Sequence, residues 1–297
     1  MAELPRFLDP QVLSRISPME LRARAVVEGF IAGLHKSPFK GFSVEFAEYR
    51  QYSPGDDIRM IDWKAYARSD RYYVKEFEDE TNLKSYILLD RSASMGYRSN
   101  GISKLEYASY LAAALALFIS HQRDGVGLIT FDREVTNHFP TSSRRSHIHA
   151  MLSTLDALSP GADTDLGKPL HELAEKLPRR GLVILISDLI DDPALTMDAL
   201  QHFRFKGHDI IVFHIVDPDE SEFPFTDTAR FQDPETGEQL VAVPTVIRDE
   251  YLAEFGRFVD ANRVGCARLQ VDYELLNTGK PLDFALFKYL ARRMQHH

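Results

Sequence analysis

The sequence has very little cysteine, since Cys266 is the single one among 297 residues. One cysteine excludes an intramolecular disulfide, and nothing in the cysteine content indicates an oxidising compartment. A buried apolar thiol is the ordinary role of such a residue. Because 44% of the residues are hydrophobic, the chain is able to bury a substantial core without covalent cross-links.

Long apolar runs and long basic runs are also missing. The longest apolar run, residues 111–119, is far shorter than the ~20 residues of a membrane-spanning helix. The N-terminus mixes acidic and basic residues without an uninterrupted apolar stretch, which is not typical of a secretory signal. The net charge of -9, from 44 acidic and 35 basic residues, argues against a nucleic-acid partner. We expect a cytoplasmic protein without a membrane span, whose partner is a cation or a basic molecule.

From residue 83 onward, short apolar runs alternate with amphipathic stretches. This alternation predicts an α/β fold, a doubly wound and mostly parallel sheet with helices on both faces. Strands are predicted over residues 85–89, 126–131, 182–187, 210–216 and 269–273. Helices are predicted between them, over residues 104–121, 145–158, 166–177, 193–203 and 246–262.

The composition of the strands predicts their places in the sheet. Residues 183–186 and 210–213 are continuously apolar, as in strands buried on both faces at the centre of a sheet. A further strand over residues 134–139 is predicted to be an antiparallel edge, because residues 132–133 leave no room for a helical crossover.

Two domains are expected from the same pattern. Residues 1–80 are predicted to form a β-rich N-terminal extension, with a helix and Gly- and Pro-punctuated extended segments. Residues 81–297 are predicted to form the α/β domain, interrupted by a hairpin insertion around residues 218–244.

The first candidate site follows the strand at residues 85–89, where Asp90, Ser92 and Ser94 occupy alternate positions of one loop. Alternation allows three oxygen-bearing side chains to converge on one point. Carboxylate and hydroxyl oxygens are the ligands that Mg²⁺, Mn²⁺ or Ca²⁺ prefer, while the lack of nearby His or Cys disfavours zinc. The loop also lies at the carboxyl end of a central strand, where open α/β sheets bind ligands.

Two further strand ends add oxygen ligands to this loop. Thr164 precedes the helix predicted at residue 166, and Asp188 follows the strand at residues 182–187. Asp and Ser are also common in turns and helix caps, so the first loop alone is weak evidence. All three loops together predict a metal site at a polar crevice, with the ligands Asp90, Ser92, Ser94, Thr164 and Asp188.

The order Asp-x-Ser-x-Ser, then Thr, then Asp resembles the metal-ion-dependent adhesion site of von Willebrand factor A domains and integrin inserted domains. The resemblance implies a von Willebrand factor A-like fold. It also implies that Ser92, Ser94 and Thr164 bind the cation through their hydroxyls, and that Asp90 and Asp188 bind it directly or through water. In that family the open coordination position is filled by an acidic residue of a protein partner.

A closer resemblance covers nearly the whole chain. Residues 41–46, 49–59 and 61–68 resemble the signature of a bacterial family called domain of unknown function fifty-eight. Members of that family occur beside MoxR-type AAA+ ATPases. This implies an accessory protein for maturation or assembly, which binds a MoxR-type ATPase or its client. Ala162 and Asp163 depart from the Gly-Gly that many members have before the Thr.

The alternative is a metal-dependent hydrolase or phosphotransfer domain that uses Asp90. A haloacid-dehalogenase-like phosphatase needs a second Asp where Ser92 stands, and a phosphoreceiver needs a Lys that residues 213–217 lack. Ser92 also lacks the flanking glycines of a hydrolase nucleophile. Since no His, Lys or Cys is placed by sequence as a general base, we expect a binding protein rather than an enzyme.

Other polar residues receive structural interpretations. The 11 histidines are scattered, and His202, His208 and His214 lack the spacing of a metal site, so solvated or core roles are predicted. Asp191 and Asp192 precede Pro193 and are expected to cap the helix that starts there.

Overall fold

A computed structural model describes residues 13, 19–36, 49–51, 73–75, 84–99, 101–161, 166–178, 180–233 and 237–282. The chain divides into two compact units, residues 1–33 with 83–297, and residues 34–82. Within the smaller unit, two short strands, β1 (Tyr49–Gln51) and β2 (Tyr73–Lys75), pair antiparallel.

The larger unit is built on a six-stranded sheet. Its strands are β3 (Lys84–Asp90), β4 (Gly125–Phe131), β5 (Val135–Ser142), β6 (Leu182–Ser187), β7 (Asp209–Val216) and β10 (Asp272–Asn277). Their order is β10-β7-β6-β3-β4-β5, and every neighbouring pair is parallel except β4 and β5. The doubly wound, mostly parallel sheet is thus confirmed, and so is the antiparallel edge strand. The apolar strands β6 and β7 lie in the interior of the sheet, as their composition predicts.

Helices cover both faces of this sheet. They are α2 (Lys104–His121), α3 (Arg145–Asp156), α4 (Gly167–Lys176), α5 (Pro193–Phe205), α6 (Pro218–Glu222) and α7 (Pro244–Arg268). On one face, α4 and α5 bury Leu170, Leu173 and Phe203 in the same cluster as Leu88 and Leu185. On the other face, α2 packs against β3 and β4 and is buried along most of its length. Among the described residues, no helix is long and apolar enough to cross a membrane.

The first residue of α2 is fixed by a reciprocal cap. The Ser103 hydroxyl accepts a hydrogen bond from the Glu106 amide, at 3.1 Å, and the Glu106 carboxylate accepts one from the Ser103 amide, at 2.7 Å. Such a capping box satisfies two amide groups that the helix leaves without a partner. It therefore sets Lys104 as the first helical residue, near the carboxyl ends of the strands.

Part of the N-terminal segment belongs to this larger unit. Helix α1 (Met19–Lys36) buries Met19, Ala23, Val26 and Val27, whose spacing places them on one helical face. Its Arg22 guanidinium lies 3.3 Å from the Asp156 carboxylate of α3. The first turns of α1 therefore complete the helical layer formed by α2 and α3.

One predicted strand is wrong in position. Residues 269–273 were expected to form the last strand, whereas β10 begins at Asp272, because α7 continues to Arg268 and the chain then turns. In that turn Gln270 adopts a φ of 55°. Val271 and Leu269 pack against the core from the turn itself, so their apolar character does not mark a strand. The predicted hairpin is confirmed, since β8 (Ala229–Gln232) and β9 (Gln239–Ala242) pair antiparallel.

Candidate functional site

The carboxyl ends of two neighbouring strands bring two carboxylates to the same edge of the sheet. Asp90 is the last residue of β3, and Asp188 directly follows β6. These strands are parallel and in register, with Leu89 opposite Ile186. The structure thus places Asp90 and Asp188 where open α/β sheets bind ligands.

Asp90 connects the loop of Ser92 and Ser94 to Ser187, the last residue of β6. One carboxylate oxygen accepts a hydrogen bond from the Ser92 amide at 2.8 Å, and the other accepts one from the Ser187 hydroxyl at 2.6 Å. The Ser187 oxygen in turn accepts a hydrogen bond from the Leu189 amide, at 2.9 Å. The sequence places Ser187 correctly at the end of this strand but does not by itself assign the residue to the site, although a lone serine among apolar neighbours and next to Asp188 was a usable signal.

The two serines of the first loop face each other. A 3₁₀ turn over Ala93–Gly96 follows Ser92, and it brings the hydroxyl oxygens of Ser92 and Ser94 to 3.0 Å from one another. Adjacent ligands of an octahedral Mg²⁺, each ~2.1 Å from the ion, are themselves about 3 Å apart. The hydroxyl pair therefore has the separation of two neighbouring ligands.

Thr164 lies outside the described residues, and its role stays a prediction. The residues that flank its loop contact the other two loops. The Gly161 amide donates a hydrogen bond to the Arg91 carbonyl at 2.6 Å, and the Leu166 amide donates one to the Asp191 carboxylate at 2.9 Å. Asp192, as predicted, caps α5 by accepting a hydrogen bond from the Ala194 amide.

A buried lysine enters the site and corrects the expectation that no lysine is placed there. The Lys104 ammonium donates hydrogen bonds to Asp188 at 2.7 Å and to Glu220 at 2.6 Å, and the Lys104 side chain is fully buried. Lys104 starts α2 and Glu220 belongs to α6, so both are remote from Asp188 in sequence. The capping box at Ser103 was the local signal that placed Lys104 at a helix start, but it does not reveal this contact.

The site is also more buried than expected. We predicted side chains at a polar crevice, yet Asp90 and Ser92 have no exposed surface, and Ser94 and Asp188 expose only 4% and 2%. The reason is that Lys104 contacts Asp188 from α2, while the 3₁₀ turn folds Ser94 back toward Ser92.

Burial and charge perturb the ionisable groups. Burial, followed by repulsion from Asp188, raises the pKa of Asp90 to about 7, against the opposing hydrogen bonds from Ser187 and Ser92. Burial alone lowers the pKa of Lys104, but the carboxylates of Asp188 and Glu220 together raise it above its usual value. Burial raises the pKa of Glu220, and the charge of Lys104 opposes this effect.

The donor set fits a hard divalent cation. When Asp90, Asp188 and Glu220 are ionised, the single positive charge of Lys104 leaves two negative charges, which a dication would balance. The available ligands are two carboxylates and two hydroxyls, which suit Mg²⁺ or Mn²⁺. Among the described residues, no group of three or more His, Cys, Asp or Glu is arranged to hold a metal ion.

Solved structures with a similar fold include a bacterial protein and a VWA domain. The conserved hypothetical protein BatB from Bacteroides thetaiotaomicron is 20% identical, with a TM-score of 0.47, over 72% of this chain and 99% of that one. The SpRpn10 VWA domain is 11% identical, with a TM-score of 0.41, over 69% of this chain and 93% of that one.

Sequence relatives extend over most of the chain. An uncharacterized protein of Mycobacterium tuberculosis is 27% identical over 264 residues, which are 88% of this chain and 81% of the relative. The uncharacterized protein YeaD of Bacillus subtilis is 30% identical over 139 residues, which are 44% of this chain and 33% of that protein. The family model described as "Protein of unknown function DUF58" matches residues 48–259, and the chain therefore belongs to that family.

Proposed function

We propose that this protein binds a protein partner through a divalent cation, Mg²⁺ or Mn²⁺, with Ca²⁺ as a third candidate. Asp90, Ser92, Ser94, Thr164 and Asp188 would hold the ion, and an Asp or Glu of the partner would complete its coordination. The observation that carries the proposal is the convergence of Asp90, the paired hydroxyls of Ser92 and Ser94, and Asp188 at one edge of the sheet.

The surrounding residues supply the orientation that such a site needs. Ser187 and the Ser92 amide fix both oxygens of Asp90, and Lys104 fixes one oxygen of Asp188. The bound dication would supply an electrophilic position for an incoming carboxylate. Hydroxyl ligands carry no charge and therefore leave the ion electrophilic, so that it is able to bind the partner's carboxylate.

The state of Lys104 supports binding rather than hydrolysis. Its raised pKa and its two carboxylate partners keep the ammonium protonated at neutral pH, so it is unable to accept a proton from a water nucleophile. Lys104 therefore acts as a positioning residue in this proposal.

Exposed apolar side chains next to the site offer a contact surface for a protein. The Ile190 amide donates a hydrogen bond to the Asp188 carboxylate at 3.3 Å, and the Ile190 side chain is 45% exposed. Leu195, in the first turn of α5, is 50% exposed. Tyr97, just after the first loop, is 39% exposed. Aromatic and other large apolar side chains are enriched in protein interfaces, so these exposed residues support the binding of a protein.

The partner we propose is a MoxR-type AAA+ ATPase or its client. This identification depends on the family resemblance of residues 41–46, 49–59 and 61–68, since members of the family occur beside such ATPases. It is independent of the metal chemistry, and a different acidic partner would leave the adhesion mechanism intact.

The first experiment tests the cation alone. Calorimetry with Mn²⁺ and Mg²⁺ should give saturable binding to the full chain, which Asp90→Asn and a Ser92→Ala/Ser94→Ala double variant reduce. Asp249→Asn, an exposed acid on α7, is the matched control and should bind like the wild type. Absence of binding and of any thermal shift at millimolar Mn²⁺ and Mg²⁺ would remove the metal site.

The second experiment tests the partner. Binding of the purified MoxR-type ATPase should need the cation, disappear with chelator, and fail with Asp90→Asn. Normal affinity in chelator would exclude the adhesion mechanism. Metal-dependent hydrolysis of a phosphoester or peptide by the wild type, abolished in Asp90→Asn, would instead establish the enzyme alternative.

A further inference from the structure

A pair of histidines bridges two helices away from the site described above. His171 of α4 and His202 of α5 lie with their Nδ1 atoms 3.3 Å apart, and their ring centroids are separated by 5.6 Å. The helices α4 and α5 pack side by side on one face of the sheet. The histidine spacing in the sequence predicted only solvated or core roles, because residues 31 positions apart show no local pattern.

The separation of the two nitrogens is that of metal ligands. Zinc binds imidazole nitrogen at about 2.0–2.1 Å, so two ligands of a tetrahedral Zn²⁺ are roughly 3.3–3.4 Å from each other. The observed 3.3 Å agrees with this value. In the structure this contact is a hydrogen bond, and the same distance allows both nitrogens to bind one ion when neither of them carries a proton.

A carboxylate supports the same orientation. The Asp198 carboxylate lies 3.3 Å from His171 Nε2, the ring nitrogen that faces away from His202. A metal-bound histidine usually donates its other N–H to a carboxylate, which fixes the tautomer and leaves the ligating nitrogen with its lone pair. With the proton of His171 on Nε2, its Nδ1 has a lone pair that accepts a hydrogen bond from His202 Nδ1. When His202 also carries its proton on Nε2, both Nδ1 lone pairs are available to a metal ion.

We propose that His171 and His202 form a second metal site, which takes a transition-metal dication such as Zn²⁺ through both Nδ1 atoms. Asp198 acts as the positioning carboxylate, and water completes the tetrahedron. The side chain of His171 is 39% exposed and that of Asp198 is 72% exposed, so solvent and the ion reach the pair. With two protein ligands the ion is exchangeable, unlike the ion of a four-ligand structural site.

The two metal sites differ in ligand chemistry. Imidazole nitrogen suits zinc and its neighbours, whereas the carboxylates and hydroxyls at Asp90 suit magnesium and manganese. An ion at the histidine pair would cross-link α4, which follows the loop of Thr164, to α5, which follows the loop of Asp188. It would therefore restrain the helices behind two loops of the proposed adhesion site, although the histidine site does not depend on that proposal.

Zinc calorimetry and thermal shift on the full chain test this inference. We expect one saturable Zn²⁺ site, whose affinity falls at least about tenfold in His171→Ala and in His202→Ala, and about tenfold in Asp198→Asn. Two control variants should bind zinc as the wild type does. One is His149→Ala, at an exposed histidine of α3, and the other is the double variant His296→Ala/His297→Ala. The same measurements in Asp90→Asn should be unchanged, which separates this site from the proposed adhesion site.

A measurement on the wild-type protein tests the same site even if the substituted variants fail to fold. In the wild type, imidazole ¹⁵N NMR should show that two histidines shift together as Zn²⁺ is added, each at Nδ1. The inference is overturned if the wild type binds no zinc. It is equally overturned if folded His171→Ala and His202→Ala bind zinc normally, or if the shifting signals belong to other histidines.

Discussion

At the scale of single residues, Lys104 is the clearest example of a group whose role depends on its partners. Its ammonium has no exposed surface and is held between Asp188 and Glu220. Removing these three charged groups from water is unfavourable, and their close contact in the interior recovers much of that free energy only while the ammonium and both carboxylates are present. Loss of one partner therefore leaves an uncompensated buried charge.

We predict that Lys104→Met lowers the free energy of unfolding by about 3–5 kcal/mol, since it leaves Asp188 and Glu220 without a cation. The double variant Lys104→Met/Glu220→Gln should be less destabilised, because one of those buried acids is then neutral. Urea denaturation measures both. Lys176→Met, on the exposed surface of α4, is the control. Equal stability of Lys104→Met and wild type would show that the buried ion pair does not stabilise the fold.

The candidate site could be predicted where its residues share one loop or directly follow a predicted strand. Asp90, Ser92 and Ser94 share one loop, and Asp188 ends an apolar strand, so spacing and strand ends were sufficient to find them. Lys104 and Glu220 reach Asp188 from other elements, and no local pattern carries that information. Ser187 is an intermediate case. Its position at the end of a strand was evident from the sequence, but its hydrogen bond to Asp90 was not.

At the scale of elements, the contact between β7, β10 and α7 buries an ionisable ring. His214 of β7 lies 2.6 Å from the Tyr273 hydroxyl of β10, and its ring meets Phe258 of α7 edge-on. Burial lowers the pKa of His214 to about 4, against the smaller opposing effect of Asp188. The folded protein therefore keeps this ring neutral at a pH where the unfolded chain protonates it.

The resulting pH dependence has a definite sign. An unfolded histidine titrates near pH 6.5, so His214 has no effect on stability above that pH. As the pH falls from about 6.5 to about 4, the unfolded state takes up a proton that the folded state does not, and stability drops by about 1.4 kcal/mol per pH unit. At pH 5 this amounts to about 2 kcal/mol.

His214→Gln tests this prediction, because the amide is able to keep a hydrogen bond to Tyr273 without titrating. The difference in unfolding free energy between wild type and variant should shift by about 2 kcal/mol between pH 7 and pH 5 in favour of the variant. A difference that stays constant over this range would contradict the neutral, buried ring.

Alanine substitutions at two glycines should have opposite effects on the stability of the fold. A Cβ on Gly127 of β4 would lie 2.7 Å from the Phe139 carbonyl oxygen of β5, whereas one on Gly256 of α7 would meet nothing within 4 Å. Gly127→Ala should therefore push β5 from β4 and lower stability by about 1–3 kcal/mol. Gly256→Ala should raise it by about 0.5–1 kcal/mol, through better helix propensity. Thermal unfolding of both variants distinguishes them, and the same sign for both would contradict the packing described.

Most elements of the sheet domain could be predicted because their patterns are strong. The helix at residues 104–121 and the strand at residues 182–187 match their predicted bounds. The last strand was misplaced because the apolar residues Leu269 and Val271 pack from a turn, and periodicity over so short a segment does not distinguish the two.

At the scale of the whole molecule, the larger unit combines segments distant in sequence. Residues 1–33 group with residues 83–297, although composition alone favoured one extension over residues 1–80. The contact is made by α1, whose buried side chains include Met19, Val26 and Val27. A helix with one apolar face gives no sign in its own sequence of which surface it covers, so this grouping could not be predicted.

A chain that begins at residue 83 should therefore be much less stable than the full protein. Burying a large apolar side chain contributes about 1.5–3 kcal/mol to the free energy of unfolding. Losing the burial of Met19, Val26 and Val27 together therefore removes a free energy close to the whole stability of a typical domain. We expect the shortened chain to unfold at lower temperature and to aggregate, because the surface beneath α1 becomes exposed. A second chain, in which a Gly-Ser linker replaces residues 37–82, keeps α1 and separates its contribution from that of the smaller unit. Leu21→Ala, at an exposed position of α1, should have little effect. Light scattering and calorimetric unfolding measure these outcomes, and a monomeric 83–297 chain with the wild-type unfolding temperature would show that α1 is dispensable.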